Sequence, residues 1–324
     1  MKRFFGLLVV LALFISCDDG DMQVESFDFS SVSSAKCGTG ESDFFIYKTR
    51  DNEALILQLS ESVFKNAKTP PGAPIIVDIN GTSVKVIYRL YSGTVTGNEL
   101  CTTIPPASPS VVEEWNATGG KIEIITNVVQ PRNDTTGANF ITGFSHTITF
   151  RNITFNTGSG TQTNEELSFG SYVTSVIPPA DFTPLEVKSC EGKSVIYKNS
   201  GPQALTLTFD PAVFTTLFAN ASTPTNAPRI QLVDGANTIT YRRFNTSINE
   251  DDFCNGTTPT LLESWMAKEG VSAVSGIIEV STTTIGADFE HTITLRNVIF
   301  KNNTDDLEFT FGTNYVLGTY ITSI

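Results

Sequence analysis

The chain has 324 residues, of which 40% are hydrophobic and 17% charged, and its net charge is −13. That balance excludes a disordered chain, and so acidic a surface repels phosphate backbones and excludes nucleic acid as an expected partner. The length suits about two domains.

Residues 1–16 read MKRFFGLLVVLALFIS, with Lys2 and Arg3 ahead of an apolar run from Phe4 to Ile15. This is the layout of a secretory signal peptide, and the run is shorter than the roughly 20 residues a spanning helix needs. Phe14-Ile15-Ser16-Cys17 resembles a bacterial lipobox, with Phe14 where Leu or Val is usual. The Asp18-Asp19-Gly20-Asp21 cluster that follows is similar to the surface-export signal of Bacteroidota lipoproteins. The resemblance implies acylation of Cys17, anchoring in the outer membrane by two or three acyl chains, and display on the cell surface. It covers only this N-terminal stretch and implies no enzymatic activity. Residues 17–36, rich in Ser and Asp, read as a tether.

Four cysteines remain, Cys37 and Cys101, then Cys190 and Cys254, and each pair is 64 residues apart. An even number at a repeated interval in an exported chain predicts two disulfides, one per repeat. Other segments recur in the same order: ALILQLSESVF and ALTLTFDPAVF, VVEEW and LLESW, FSHTITFRNITF and FEHTITLRNVIF. The chain therefore reads as one domain written twice, at 37–177 and 178–324, joined near Pro178 and Pro179.

Within each copy the hydrophobic period is two. Leu55, Leu57 and Leu59 alternate with Ala54, Ile56 and Gln58, and stretches 74–79, 83–91, 121–129, 144–155 and 165–176 are rich in Ile, Val, Thr and Phe, which predicts strands. Two short helices are expected per copy. One follows the capping boxes Ser110-x-x-Glu113 and Thr260-x-x-Glu263 and ends at the tryptophan; the other lies at 61–67 and 211–219. The expected fold is all-β, two tandem antiparallel domains, with a sandwich favoured over a small barrel.

His146 and His291 are the only histidines. Residues two apart on a strand share a face, so His146 lies with Phe144, Ile148 and Phe150, and a buried, hydrogen-bonded imidazole is expected in preference to a catalytic one. Trp115 and Trp265 are candidates for stacking on a ligand ring, weighed against core packing. Thr135 stands in Asp134-Thr135-Thr136, which resembles an O-glycosylation motif of Bacteroidota secreted proteins. No cysteine or histidine spacing marks a metal site, and no cofactor is expected. The expected function is a non-enzymatic binding or adhesion module for a glycan or protein. The alternative is a hydrolase or isomerase with its site between the two domains, using Glu123 and Glu279, the carboxylates that match across the copies.

Overall fold

The structure, a computed structural model, describes residues 28–39, 44–102, 104, 106–182, 186–256, 258–302 and 304–323; the leader and Cys17 lie outside the described residues. The first repeat forms β1 (Ala35–Cys37), β2 (Phe45–Arg50), β3 (Glu53–Gln58), β4 (Ile75–Asp78), β5 (Lys85–Tyr91), α1 (Gly97–Cys101), β6 (Val111–Val129), β7 (Gly143–Asn156) and β8 (Thr161–Ser175). The second forms β9 (Lys188–Ser189), β10 (Val195–Ser200), β11 (Gln203–Thr208), α2 (Pro211–Leu217), β12 (Arg229–Leu232), β13 (Thr238–Phe244) and α3 (Glu250–Cys254). It ends with β14 (Leu261–Ala267), β15 (Ile277–Ile285), β16 (Asp288–Arg296), β17 (Phe300–Lys301), β18 (Glu308–Phe309) and β19 (Asn314–Ser323). These strands pair antiparallel, so the fold is all-β.

In the first repeat β1-β2-β3-β5-β6-β7-β8 form one sheet in that order, with β4 also paired to β6. In the second, β18-β17-β14-β13-β11-β10-β9 form one sheet and β12-β15-β16-β19 another. The difference has a local cause. β6 meets β5 through Val111–Asn116 and β4 through Lys121–Ile124, whereas the second repeat divides those pairings between β14 and β15. Between its two partners β6 runs through Gly120, at φ +117°, where an added Cβ would lie 2.8 Å from the Ile153 Cα. Only glycine fits there.

The described residues gather into two compact units, one of those from Asp28 to Val63 with 75–124 and 147–172, the other of 64–74, 125–146 and those from Val173 onward. In the first, Leu55 and Leu57 are buried on one face of β3, and Ala54 and Ile56 on the other, where they cluster with Cys37, Tyr47 and Tyr91. Burial of both faces explains the near-continuous apolar run of that strand. In the second unit Ile196, Leu207 and Trp265 from one sheet share a single core with Ile278, Val280 and Ile293 from the other. That unit is a sandwich.

Three expectations need correction. Residues 110–115 and 260–265 are not helical: Val111 and Leu261 begin β6 and β14. The capping box is a four-residue signal, and here it is outweighed by the backbone pairing of VVEEW and LLESW with β5 and β13. The capped helices lie just upstream, where Thr96 with Glu99 and Asn249 with Asp252 form reciprocal boxes on α1 and α3. The helix expected at 211–219 is α2, capped by Asp210, but 61–67 supplies only a 3-10 turn at Glu61–Val63. The third correction concerns the tether, which does not extend to Lys36. Phe29 is fully buried, and the Ser34 hydroxyl donates to the Ser171 carbonyl on β8 at 2.7 Å.

Phe29 also exposes a motif that the sequence comparison passed over. Asp28-Phe29 and Asp181-Phe182 each stand at the same distance ahead of their repeat's first cysteine, and both phenylalanines are buried. Beside each is a buried lysine with a carbonyl acceptor: Lys48 Nζ donates to Phe29 O at 2.9 Å, and Lys198 Nζ to Leu317 O at 2.7 Å. Burial lowers the pKa of both ammonium groups, opposed by Asp28 and Asp181 respectively.

The disulfides are Cys37–Cys101, tying β1 to α1, and Cys190–Cys254, tying the turn after β9 to α3, each with Cα atoms 5.3 Å apart. Closing loops of that length stabilises by about 4 kcal/mol each in the chain-entropy description. Reduction should therefore lower the melting temperature strongly, and Cys101→Ser should lower it in part; calorimetry with and without reductant measures both.

Candidate functional site

The histidines occupy equivalent, fully closed positions, each 0% exposed. His146 Nδ1 meets Thr126 Oγ1 at 2.9 Å, and its Nε2 meets Thr174 Oγ1 at 3.0 Å. His291 repeats this with Thr282 at 2.8 Å and Thr322 at 2.9 Å. The direction of the chain follows from its ends. The Thr322 hydroxyl gives its one proton to Asn220 Oδ1 at 2.6 Å, so it accepts from His291 Nε2–H. In the neutral ring Nδ1 is then the acceptor, and the Thr282 hydroxyl donates to it while accepting from Arg229 Nη1. In the first repeat Thr174 donates to Asn66 Oδ1 at 2.7 Å, which assigns His146 the same tautomer. With both ring nitrogens bonded to threonine hydroxyls, the imidazoles tie three neighbouring strands together and have no nitrogen left to act as base or ligand.

The tryptophans lie on strands, 4% and 5% exposed. Each indole donates to the glutamate two residues before it, Trp115 to Glu113 at 2.7 Å and Trp265 to Glu263 at 2.6 Å. Trp115 packs on Tyr88 and Phe155, and Trp265 on Phe309. Glu123 and Glu279, the carboxylates of the hydrolase alternative, are ion-paired on the adjacent strand with Arg151 at 2.9 Å and Arg296 at 2.7 Å. Thr135 sits in an exposed turn, its N–H bonded to Asn133 Oδ1. Among the described residues no group of three or more His, Cys, Asp or Glu side chains could hold a metal ion.

A cavity of about 230 Å³ opens at one end of the second unit's sandwich. It forms where the inward-facing rows stop being apolar: β13 passes from Tyr241 to Arg243 and β14 from Trp265 back to Glu263. Arg243 and Glu263 face each other in register, with Arg243 Nε donating to Glu263 Oε2 at 2.9 Å. The Tyr241 hydroxyl donates to Gln203 Oε1 at 2.7 Å, and burial, then the nearby Glu263 charge, pushes its pKa well up. Ile141, Phe144, Val176, Ile177 and Pro179 also line it, together with Asn66, Leu262, Asn302, Asp305, Leu307 and Phe309.

Of the sequence candidates, the cavity includes only Trp265. Arg243 was missed because the repeats were compared for agreement, and it answers Leu90 of the first repeat; Glu263 answers Glu113, and Asp305 stands in TDDLEF where the first repeat has NEELSF, acidic positions that a repeat comparison reads as ordinary surface. Comparison with family models, curated proteins and solved structures finds no match to this chain.

The buried imidazoles predict a pH dependence. Burial, with a smaller contribution from Arg229, holds the His291 pKa down to about 4, and burial shifts His146 in the same direction. Between pH 6.5 and 4 the unfolded chain binds a proton that folded His291 refuses, so stability falls as pH drops, by on the order of 3 kcal/mol across that window. It is fully present above pH 6.5, and the loss from this group levels off below 4. Urea midpoints measured against pH should show a shallower fall for His291→Gln than for the parent chain.

Proposed function

We propose that this chain is a lipid-anchored, non-enzymatic binding protein of a bacterial outer membrane, displayed at the cell surface and taking its ligand at the end of the second unit's sandwich. The cavity carries this reading. It combines an aromatic floor with a few convergent polar groups, the composition of a ligand site, and it includes Arg243, where the second repeat has departed from the first. The satisfied hydrogen bonds of both histidines and the arginine partners of Glu123 and Glu279 favour binding over hydrolysis. Cys17, by its resemblance to a lipidated cysteine, supplies the anchor.

Growth of a bacterium expressing the chain with an alkyne-bearing fatty acid tests the anchor. The label should enter the wild-type protein and its membrane fraction, and protease added to intact cells should remove it. Cys17→Ala should lose both label and membrane association; a chain that remains unlabelled and soluble as wild type refutes the anchored reading.

A further inference from the structure

We infer that the cavity at the end of the second unit's sandwich takes one uncharged sugar ring of a glycan, and that Asn66, held in place by His146 through Thr174, is one of the groups that read its hydroxyls. This inference rests on the binding-protein reading above and names the ligand of that same site.

Size comes first. At about 230 Å³ the cavity falls below the 300 Å³ or so at which drug-sized sites begin, which leaves room for a single ring. Charge comes second. The Arg243 guanidinium is already matched by Glu263, so the remaining formal charge of the lining is the carboxylate of Asp305. A phosphate, sulfate or carboxylate ligand would meet a negative wall on a chain of net charge −13.

Polarity then separates a polyol from an amine. Asn66 Oδ1 is taken by Thr174 and Asn302 Oδ1 by the Thr304 N–H, so each side chain has its NH₂ end left for a ligand. Arg243 commits Nε to Glu263 and keeps terminal N–H donors. Asp305 offers acceptors. An ammonium ligand would face these donors with nothing to accept them, whereas a hydroxyl both donates and accepts. The apolar part fits the C–H face of a ring: Tyr241, Trp265 and Phe309 lie inside, and Ile177 and Leu262, 63% and 55% exposed, stand at the rim.

The relay fixes which end of Asn66 faces the cavity. Thr126, His146 and Thr174 each pass one hydrogen bond along, and the last donates to Asn66 Oδ1. His146 and Thr174 are thus positioning residues. The second repeat supplies a matched control, because Thr322 makes the same bonds to His291 and Asn220, and neither Thr322 nor Asn220 lines this cavity.

The full chain carrying Cys17→Ser, labelled with ¹⁵N-tryptophan, has two indole N–H signals, assigned by Trp115→Phe and Trp265→Phe. It is titrated with glucose, galactose, mannose, xylose, N-acetylglucosamine and their short oligomers, with glucuronate, glucose 6-phosphate and 1,5-diaminopentane as charged comparators. The expected result is a saturable shift of the Trp265 signal with at least one neutral sugar while the Trp115 signal stays put. Arg243→Leu, the residue of the first repeat, should weaken that affinity by about tenfold or more, as for a lost hydrogen bond to a charged group. Thr174→Val should weaken it, Thr174→Ser should restore it, and Thr322→Val should leave it unchanged. The inference is overturned if no neutral sugar moves the Trp265 signal, if both indoles move alike, or if only a charged comparator binds. Equal effects of Thr174→Val and Thr322→Val would overturn the positioning role. A negative panel beside a lipid-labelled protein strikes the sugar alone, and a sugar response in a protein that takes no lipid strikes the anchor alone.

Discussion

A hydroxyl, an imidazole, a second hydroxyl and an amide, linked head to tail from the buried core to the surface, form the constraint on which the second unit depends. Thr126, His146, Thr174 and Asn66 make one such chain, and Thr282, His291, Thr322 and Asn220 the other. Backbone ladders hold neighbouring strands together but leave side chains free to repack. The buried members of each chain, Thr126 with His146 and Thr282 with His291, are less tolerant, because losing one of them strands a desolvated donor or acceptor at a cost of about 1–3 kcal/mol. Each chain also starts beside a threonine bridge, since Thr69 and Thr223 exchange bonds with the backbone of Thr126 and Thr282. The loop carrying Thr69 or Thr223 is thereby fixed to the strand that starts each chain.

Duplication gave the two repeats this frame and then freed one of them at its edges. At the end of the second sandwich an arginine stands where the first repeat has Leu90, and a glutamine where it has Glu53. In the first repeat Glu53 accepts from the Tyr88 hydroxyl and pairs with Arg50, so its acid is consumed internally. In the second, neutral Gln203 accepts from Tyr241 and from the Ala180 N–H. The charged pair moves to Arg243 and Glu263, at the cavity lining. The frame is conservative where the imidazoles sit and permissive a few residues away, as expected when function resides on the rim of a rigid scaffold.

Much of the fold could be read from the sequence because strand parity is a local property. FSHTITFRNITF places its histidine among Phe144, Ile148 and Phe150 without reference to anything distant, and both cysteine pairs announced themselves by interval. The capping boxes at Ser110 and Thr260 misled because a local helix signal was outweighed by pairing with a separate strand, β5 or β13. Asp28-Phe29 and Asp181-Phe182 escaped notice because two residues amid dissimilar neighbours form no pattern; only the burial of both rings pairs them. The cavity was illegible for a deeper reason. Asn66, Phe144, Val176, Arg243 and Asp305 come from five separate segments, and no motif precedes the folding that gathers them.

The Asp-Phe segments have a kinetic consequence. Ser34 is bonded to Ser171 across 137 residues, and the Val187 N–H donates to the Thr319 carbonyl on β19 at 3.0 Å. Each repeat thus fastens its opening residues to its own closing strand. Few local contacts can stand in for such an arrangement, and closure over that distance must precede its reward, which slows folding. Until β8 or β19 arrives, the partner strand presents unpaired amides and carbonyls to whatever else is near. For a chain threaded outward from one end, each repeat is a clasp that shuts only when its final strand emerges, and the interval before that is when it most needs to be kept apart from its neighbours.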